Sequence, residues 1–366
     1  MIRIGYYSSG IIFSADLPDI QVFTDHSFAD VRLLYGGIEL LSGRYYANNG
    51  TVTVHDIAPL IEQALSGDTE FNTAEFTIEA CNDDEDAESV SFTAMFCNRE
   101  TGLYDTAPWL TENFLTTVRT RRIAPNGWAH LSWYTTEREG IVLFVLITYL
   151  DDNGNRQTYR WLHSGNGQIA HINGVLHVYF SLDDLRNTLR EKRKVNNPTL
   201  LSFTVQRGNR MATYFVDPAL SDVPVFHFAN CFNMLEQLPV QGVTTSKIKA
   251  DRSIASLGKD SQFYDVTVSK EYETQTAPLT SEECELMEQM LTSNDVRIPY
   301  GEGAEYENDF YAMKSIMITD FTSEIQDGDE KLNSVKFTWR FVHNLPSIAL
   351  PDTPGIFNDK FNPIYS

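Results

Sequence analysis

The sequence lacks the short motifs that most often carry enzymatic chemistry. It contains no G-x-x-x-x-G-K-[ST] phosphate loop, no H-E-x-x-H metal motif, no G-x-S-x-G nucleophile elbow and no G-x-G-x-x-G dinucleotide motif. Its 50 acidic residues keep open a hydrolase with a carboxylate pair built from distant loops, but no spacing places two carboxylates together. The sequence therefore predicts a protein that is not an enzyme, with no catalytic residue, no metal and no cofactor.

Cysteine is scarce, with four residues in 366 and no C-x-x-C pair that would indicate zinc binding or redox chemistry. Two of them, Cys81 and Cys97, flank a predicted hairpin and are the pair that can approach each other. They form either a structural disulfide or two free thiols, and the sequence leaves this open.

Long apolar runs are also missing. The longest candidate, residues 141–149, has the length of a strand and not of the roughly 20 residues that cross a membrane. At the amino terminus, residues 1–18 are predicted to form a strand pair and not a signal peptide, because the apolar run is short and Asp16 interrupts it. We expect no membrane span and synthesis in the cytoplasm without a signal peptide.

Basic residues are outnumbered, with 28 Lys and Arg against 50 Asp and Glu and a formal net charge of -22. Such an acidic chain should repel phosphate backbones, so nucleic acid is not an expected partner. Two basic clusters depart from the trend, at residues 119–122 and 190–194. Both are predicted to be solvated surface, since the second has no interleaved aromatic residues of the kind that stack on bases.

The clearest pattern in the sequence is internal, because strand, short helix and hairpin follow each other twice at a displacement of 125 positions. Alternating valines and a cap at Asp56 precede the first predicted helix, and a cap at Ser181 precedes the second. The matched positions are Val52, Val54, Ile57, Leu60 and Ala64 in the first copy and His177, Tyr179, Leu182, Leu185 and Leu189 in the second.

Strands on either side complete each copy. The pairs 76–80 with 89–96, and 201–206 with 211–216, follow the helices, while 31–35, 141–149 and 157–161 precede them. The turn at 151–155 contains Asn153-Gly154, which favours a type I′ hairpin, and Gly208 marks a tight turn. The pattern predicts two related antiparallel β-sandwich modules, at residues 1–105 and 106–222.

Beyond Asp217-Pro218 the pattern changes to a third β-rich module, predicted at residues 223–344. Its strands are expected near 225–228, 242–250, 262–272, 312–318 and 335–342. A Thr280-x-x-Glu283 capping box and an apolar stripe at Cys284, Met287 and Leu291 predict one amphipathic helix near 280–293. Residues 345–366 lack periodicity and are predicted to form an extended C-terminal arm that docks on neighbours.

Three groups of residues are candidate ligand sites in the sequence. The imidazoles of His163, His171 and His177 would bind a metal if their strands brought them onto one side, with ordinary strand surface as the alternative. Carboxylates at 82–86 could hold calcium or form a solvated acidic turn. The acidic turn 151–155 begins like a calcium loop, but Arg156 and Leu162 stand where an EF-hand needs glycine and glutamate.

The tryptophans provide a further interpretation, in which a stacking platform would make the chain an extracytoplasmic carbohydrate-binding protein. Trp133 and Trp161 lie in alternating strands and are expected in a core, whereas Trp109 and Trp128 are predicted in loops. Trp128, beside Asn126-Gly127, is the better candidate for an exposed platform.

A family resemblance covers residues 197–341. The segments 226–233, 264–266, 272–280, 291–293 and 335–341, with the strand pair 202–205 and 212–216, resemble a recurrent pattern in tail-associated structural proteins of phages and prophages from gut Bacteroidetes. These segments match strands, turns and a helix, and none of them carries chemistry. The resemblance implies a virion component of the distal tail or baseplate, held in a ring or stack by contacts with other tail proteins and with further copies of itself.

Overall fold

The protein is described by a computed structural model that covers residues 1–5, 10–66, 72–83, 87–103, 105–135, 140–169, 174–257, 260–299, 313–323 and 333–342. Strands dominate these residues, with four α-helices among them, which confirms the prediction of a mainly β protein. No helix among the described residues is long and apolar enough to cross a membrane.

The first module is a sandwich of a three-stranded and a five-stranded sheet. Buried side chains from both sheets and from helix α1 (Ala58–Ser66) form one core between them. The strand orders are β1-β3-β6 and β2-β8-β7-β4-β5. The strands are β1 (Ile2–Ile4), β2 (Ile11–Phe13), β3 (Ile20–Thr24), β4 (Phe28–Tyr35), β5 (Ile38–Tyr46), β6 (Thr51–Val54), β7 (Thr73–Cys81) and β8 (Ala87–Met95).

The second module repeats this arrangement. Helix α2 (Ala107–Glu112) leads into it, and helix α3 (Leu182–Arg193) packs against its core. The sheet orders are β10-β13 and β12-β11-β14-β15-β9. The strands are β9 (Thr120–Ile123), β10 (Trp128–Thr135), β11 (Gly140–Leu150), β12 (Arg156–Ile169), β13 (Gly174–Ser181), β14 (Thr199–Arg207) and β15 (Arg210–Val216).

The two sandwiches share one topology. In both five-stranded sheets the strand that comes first in the chain pairs in parallel with the strand that comes last, β2 with β8 and β9 with β15, and the other pairings are antiparallel. The predicted antiparallel sandwiches are therefore present, with one parallel strand pair at this edge of each. Because strand order, the parallel edge and the helix position all recur, we propose that the two modules arose by duplication.

The displacement of 125 is one residue too long in part of the repeat. The buried positions Val52 and Val54 correspond to Leu176 and Val178, whereas the predicted partners His177 and Tyr179 lie on the opposite face of β13. A shift of one residue turns every side chain of a strand to the other face, so the residue-by-residue match was wrong here. The buried stripe of α1 is Ile57, Ile61 and Leu65, and not the predicted Ile57, Leu60 and Ala64.

The third module contains one seven-stranded sheet, in the order β17-β16-β20-β21-β22-β19-β18. Helix α4 (Ser281–Thr292) packs Leu286, Met287 and Met290 into the core of this module. Strands β18 and β19 extend into a long hairpin. The strands are β16 (Val225–Ala229), β17 (Leu235–Pro239), β18 (Gly242–Leu257), β19 (Asp260–Thr276), β20 (Val296–Pro299), β21 (Met313–Ser323) and β22 (Val335–Phe341).

Some of the caps and turns predicted from the sequence are present in the structure and others are not. The capping box of Thr280 and Glu283 and the cap of Ser181 on the Asp184 N–H are present as predicted. Asp56 does not cap α1, since the helix begins at Ala58, two residues later. The 151–155 turn is not type I′, because only Gly154 has a positive φ. Strands β1 and β2 pair with β3 and β8 and not with each other, and the predicted arm at 345–366 lies outside the described residues.

Candidate functional site

The three modules meet at a junction built from residues 97–123, the 230–236 segment after β16, and the first turns of α4. The described part of this junction contains the buried side chains of Arg121, Glu236 and Glu283 and the buried thiols of Cys97, Cys231 and Cys284.

The second and third modules are joined by the ion pair between Arg121 of β9 and Glu236 of β17. Both side chains are buried, and the Arg121 guanidinium also donates to Thr116 Oγ1 at 2.8 Å. The amide of Asn230 donates to the Glu236 carboxylate at 3.2 Å and to the Leu115 carbonyl at 2.9 Å. Burial alone would lower the pKa of Arg121, but the charge of Glu236 offsets this and the pKa is raised.

A second charged contact lies beside the first. Arg122 binds the carboxylate of Glu283 with two hydrogen bonds, of 2.7 and 2.9 Å, and reaches Asp217 at 3.0 Å. Hydrogen bonding to Glu283 raises the pKa of Arg122. The same Glu283 accepts the Thr280 N–H in the capping box of α4, so one carboxylate both starts the helix and ties it to the second module.

These contacts correct the prediction of solvated surface for Arg121 and Arg122 of the basic cluster 119–122, whereas Arg119 is exposed as predicted. Arg121 is buried, Arg122 is only partly exposed, and both guanidinium groups join modules. The cluster at 190–194 is exposed as predicted. Its charges lie at the C-terminal end of α3, where they complement the helix dipole.

The first module joins the junction through aromatic packing. Trp109 lies 5.5 Å from Phe13 and 5.1 Å from Phe232, measured between ring centroids, and Phe13 lies 5.6 Å from Phe232. Around these rings, the Asn72 amide donates to the Phe232 carbonyl at 2.6 Å and the Asn98 N–H donates to the Cys231 carbonyl at 3.0 Å. Apolar burial and backbone hydrogen bonds therefore hold the first module to the third.

Helix α4 supplies polar contacts to both sandwiches. The guanidinium of Arg99, which follows strand β8 of the first module, lies 3.3 Å from the carboxylate of Glu285. Gln289 donates to Thr117 Oγ1 at 2.6 Å and accepts the Cys231 N–H at 3.1 Å. One helix face thus contacts segments that are more than 150 residues away in sequence.

The structure answers the question of cysteine pairing that the sequence leaves open. All four cysteines are free, and the thiol of Cys97 is hydrogen bonded to that of Cys231. This hydrogen bond lowers the pKa of Cys97, and together with burial it raises the pKa of Cys231. Cys81 pairs with Ala87 at the turn of the β7–β8 hairpin. Cys97 follows the far end of β8, on the order of 30 Å along the strand, so these two cannot form a disulfide.

A buried imidazole lies beneath the junction. His130 Nδ1 lies 2.8 Å from the Leu235 carbonyl, and Nε2 lies 3.2 Å from His177 Nδ1. Burial lowers the pKa of His130 to about 3, and burial also lowers the pKa of His227 to about 4. His130 is therefore neutral at physiological pH, and its Nδ1–H donates to the carbonyl.

A cavity of about 30 Å³ adjoins His130, Arg121, Tyr214 and Glu236. This volume suits about one water molecule. It is too small for a sugar, nucleotide or cofactor, so the junction is suited to joining modules and not to binding a ligand of that size.

No cluster of three or more His, Cys, Asp or Glu with metal-binding geometry occurs among the described residues. His163 packs against Trp161 and Phe180, while His177 belongs to the pair with His130. His171 and residues 84–86 of the acidic loop lie outside the described residues. The Asp151 carboxylate accepts the N–H groups of Asn153 and Asn155, at 2.9 Å each, and closes its own turn.

The tryptophan prediction was wrong for the two loop candidates. Trp109 is packed in the aromatic cluster of the junction, and Trp128 stacks on His227 with 5.5 Å between centroids. Trp133 is fully buried and Trp161 half buried, as expected for core positions. The side chains proposed as a sugar platform are therefore used to join modules.

The β18–β19 hairpin exposes apolar side chains. Among the described residues β18 is the last strand of its sheet, so one edge of its backbone pairs with no described strand. Val243, Ile248 and Ile254 are exposed along it, and Lys247 and Lys249 form ion pairs across the hairpin with Glu273 and Glu271. A long strand edge with apolar side chains is suited to pairing with another chain.

The chain therefore offers extended surfaces and a rigid junction, while the chemistry-bearing side chains of the junction are engaged with each other. Sequence reasoning missed this junction because its partners are distant in sequence, and only the unusual run Arg119, Arg121, Arg122 gave a signal. Searches against models of known protein families and against curated proteins found no match for this chain.

Proposed function

We propose that this protein is a structural assembly component of a phage tail or baseplate-like particle, and that it acts through protein–protein contacts without catalysis. The observation that carries the proposal is the β18–β19 hairpin, whose edge strand projects apolar side chains from a body in which three modules are locked together. An assembly protein needs this combination, because a rigid body transmits the geometry that its exposed edges impose on neighbours.

Three further features support the same proposal. The buried ion pair of Arg121 and the partly buried ion pair of Arg122 leave the modules little freedom to hinge. The junction cavity fits about one water molecule. The segment 226–233, which contributes to the resemblance with tail-associated proteins, supplies Asn230, Cys231 and Phe232 to the junction. The carbohydrate-binding alternative has less support, because Trp109 packs against Phe13 and Trp128 stacks on His227.

The test is particle fractionation. The gene is expressed together with its genomic neighbours, tail-like particles are separated from soluble protein on a density gradient, and the chain is followed by immunoblot. The proposal predicts that the chain co-sediments with particles and that particles are missing or truncated when the gene is deleted. A chain that stays in the soluble fraction, with particles of normal length in the deletion strain, would reject it.

A further inference from the structure

The five-stranded sheet of the second module has an unusually apolar outer face. Along β11, Val142, Phe144 and Leu146 point away from the core and are exposed, while Thr148 and Leu150 on the same side are partly buried. Register pairs Phe144 with Leu162 of β12, and Leu146 with Arg160, whose guanidinium lies 4.1 Å from the Phe144 ring centroid. The exposed apolar side chains of this outer face are Val142, Phe144, Leu146, Leu162, Met211 and Phe215.

The same face of the first module is built differently, although its topology is the same. There, Arg44 binds Asp30 at 2.8 Å on the outward side of β4 and β5, and Arg32 binds Glu79 at 2.9 Å. The fold therefore does not require an apolar outer face. The contrast between two modules of one chain indicates that the second outer face is kept apolar for contact with a partner.

Charge indicates what the partner is. The described outward positions of β11, β12, β14 and β15 carry no acidic side chain, and Arg156 and Arg160 lie among them. Residues 106–222 hold 13 basic and 10 acidic residues, a net charge of +3. Residues 1–105 hold 4 basic and 18 acidic residues, net -14, and residues 223–344 hold 10 and 20, net -10. A surface with two arginines and no carboxylate complements an acidic one.

The first module supplies such an acidic surface. Its outer face carries Asp30, Glu39, Glu75 and Glu79, with Asp83 at the following turn. Three of these carboxylates, Glu39, Glu75 and Asp83, are exposed, while Asp30 and Glu79 are partly buried and paired with Arg44 and Arg32. In a homo-oligomer this face of one copy is available to the second module of the next at equal concentration.

The size of the patch fits the centre of an interface. Val142, Phe144, Leu146 and Leu162 are neighbours on β11 and β12, and the polar outward residues of β14 separate them from Met211 and Phe215 on β15. The four neighbours together expose on the order of 300 Å², in the range of patches that mark interaction sites. A standard interface buries about 800 Å² on each partner, so the surrounding Thr, Ser and Arg side chains would complete a polar rim. Two outer faces of the second module would not fit each other well, because Arg156 and Arg160 would meet their own copies.

We infer that the outer face of the second module docks on the acidic outer face of the first module in a second copy of this chain. The contact joins two different surfaces, so it is head-to-tail and generates a ring or a stack and not a closed dimer. This inference rests on the proposed function and names the contact through which copies of the protein associate.

The experiment uses the full chain and sedimentation velocity. One variant, Phe144→Glu, places a carboxylate in the apolar patch, and a second, Leu162→Ser, removes apolar surface without adding charge. The matched control is Phe23→Glu, because Phe23 of β3 is 43% exposed and Phe144 is 38% exposed. Circular dichroism confirms that each variant is folded. We expect association of the wild type, weakening of at least about tenfold in both patch variants, and no change in the control.

Mixing two variants tests whether the contact joins two different surfaces. A Glu75→Lys/Glu79→Lys variant has an altered acidic face on the first module and an intact apolar patch on the second. The Phe144→Glu variant has an intact acidic face and an altered apolar patch. Each alone should be monomeric, whereas their mixture should form heterodimers that grow no further. Wild type that is monomeric at about 100 µM, patch variants that associate as the wild type does, or a mixture that stays monomeric would each overturn the inference. If the chain still co-sediments with particles in those cases, the proposed function stands and only this contact is wrong.

Discussion

Arg121 and Glu236 form an ion pair between the second and third modules in which both side chains are buried, with relative exposures of 8% and 4%. The pair is surrounded by Thr116, Asn230 and the Tyr214 ring. A buried pair of this kind is costly to break, because the remaining partner becomes an uncompensated charge in a medium of low polarity. It therefore makes separation of the two modules unfavourable.

Glu236→Gln should consequently lower the free energy of unfolding by about 3 kcal/mol, measured by urea denaturation. The matched control is Glu79→Gln, which breaks the partly exposed pair with Arg32 and should cost less than about 1 kcal/mol. Adding Arg121→Met to Glu236→Gln should recover part of the loss, since the stranded charge is removed. Equal losses in Glu236→Gln and in the control would show that the junction does not depend on this pair.

Stability should fall with acidification through the buried histidines. Burial lowers the folded-state pKa values of His130 and His227 from the ordinary 6.5 to about 3 and about 4. Below pH 6.5 the unfolded chain binds protons that the folded chain excludes, so the contribution present above that pH is lost as pH falls towards 3. Each histidine should remove about 1.4 kcal/mol per pH unit within this window.

The measurement is urea denaturation at pH 7, 6 and 5, first on the wild type and then on His130→Gln/His227→Gln. The double variant removes both titrating groups and should show a flatter dependence on pH, whatever its stability at pH 7. An unchanged slope would mean that other groups carry the acid sensitivity.

Thiol reactivity should follow burial. Cys81 is half buried and Cys97, Cys231 and Cys284 are buried, so a water-soluble thiol reagent should modify Cys81 first and the other three after denaturation. Peptide mapping under non-reducing conditions should find no link between Cys81 and Cys97. Cys81→Ser provides the control, since it should abolish the fast phase. A Cys81–Cys97 link in the native protein would contradict the strand register of β7 and β8.

The hairpin prediction concerns assembly and not stability. Ile248→Lys adds a charge to the free edge of β18, where the side chain is 70% exposed, so folding should be unaffected. Incorporation into particles should drop, measured as the fraction of chain in the particle band of the gradient. Phe23→Lys is the control and should be incorporated normally. Normal incorporation of Ile248→Lys would show that the β18 edge is not an assembly contact.

The sequence predicted features whose cause is local. The Thr280–Glu283 capping box and the apolar stripe beside it depend on residues within one helix, and both occur as expected. The repeated topology was also visible, because each strand and helix carries its own periodicity. The displacement failed by one residue around Val52 and Val54, since a single insertion shifts strand parity without changing the order of elements.

The junction could not be predicted because its contacts join residues that are distant in sequence. Arg121 finds its partner 115 positions away, and Arg122 finds Glu283 161 positions away. A cluster of arginines has the same sequence pattern whether it is solvated or paired, and only the packing of modules distinguishes the two. Trp109 and Trp128 were misplaced for this reason as well, because contacts between modules cover residues that flank turns.

Quantitative mass spectrometry of purified particles, with isotope-labelled peptides of this chain and of a major tail protein as standards, tests the central claim most directly. A structural component should be present at a fixed whole-number ratio to the major tail protein, and this ratio should persist through repeated gradients and high salt. A chain that is absent from washed particles, or present at a ratio that falls with each wash while a 41.6 kDa monomer remains in solution, would contradict it.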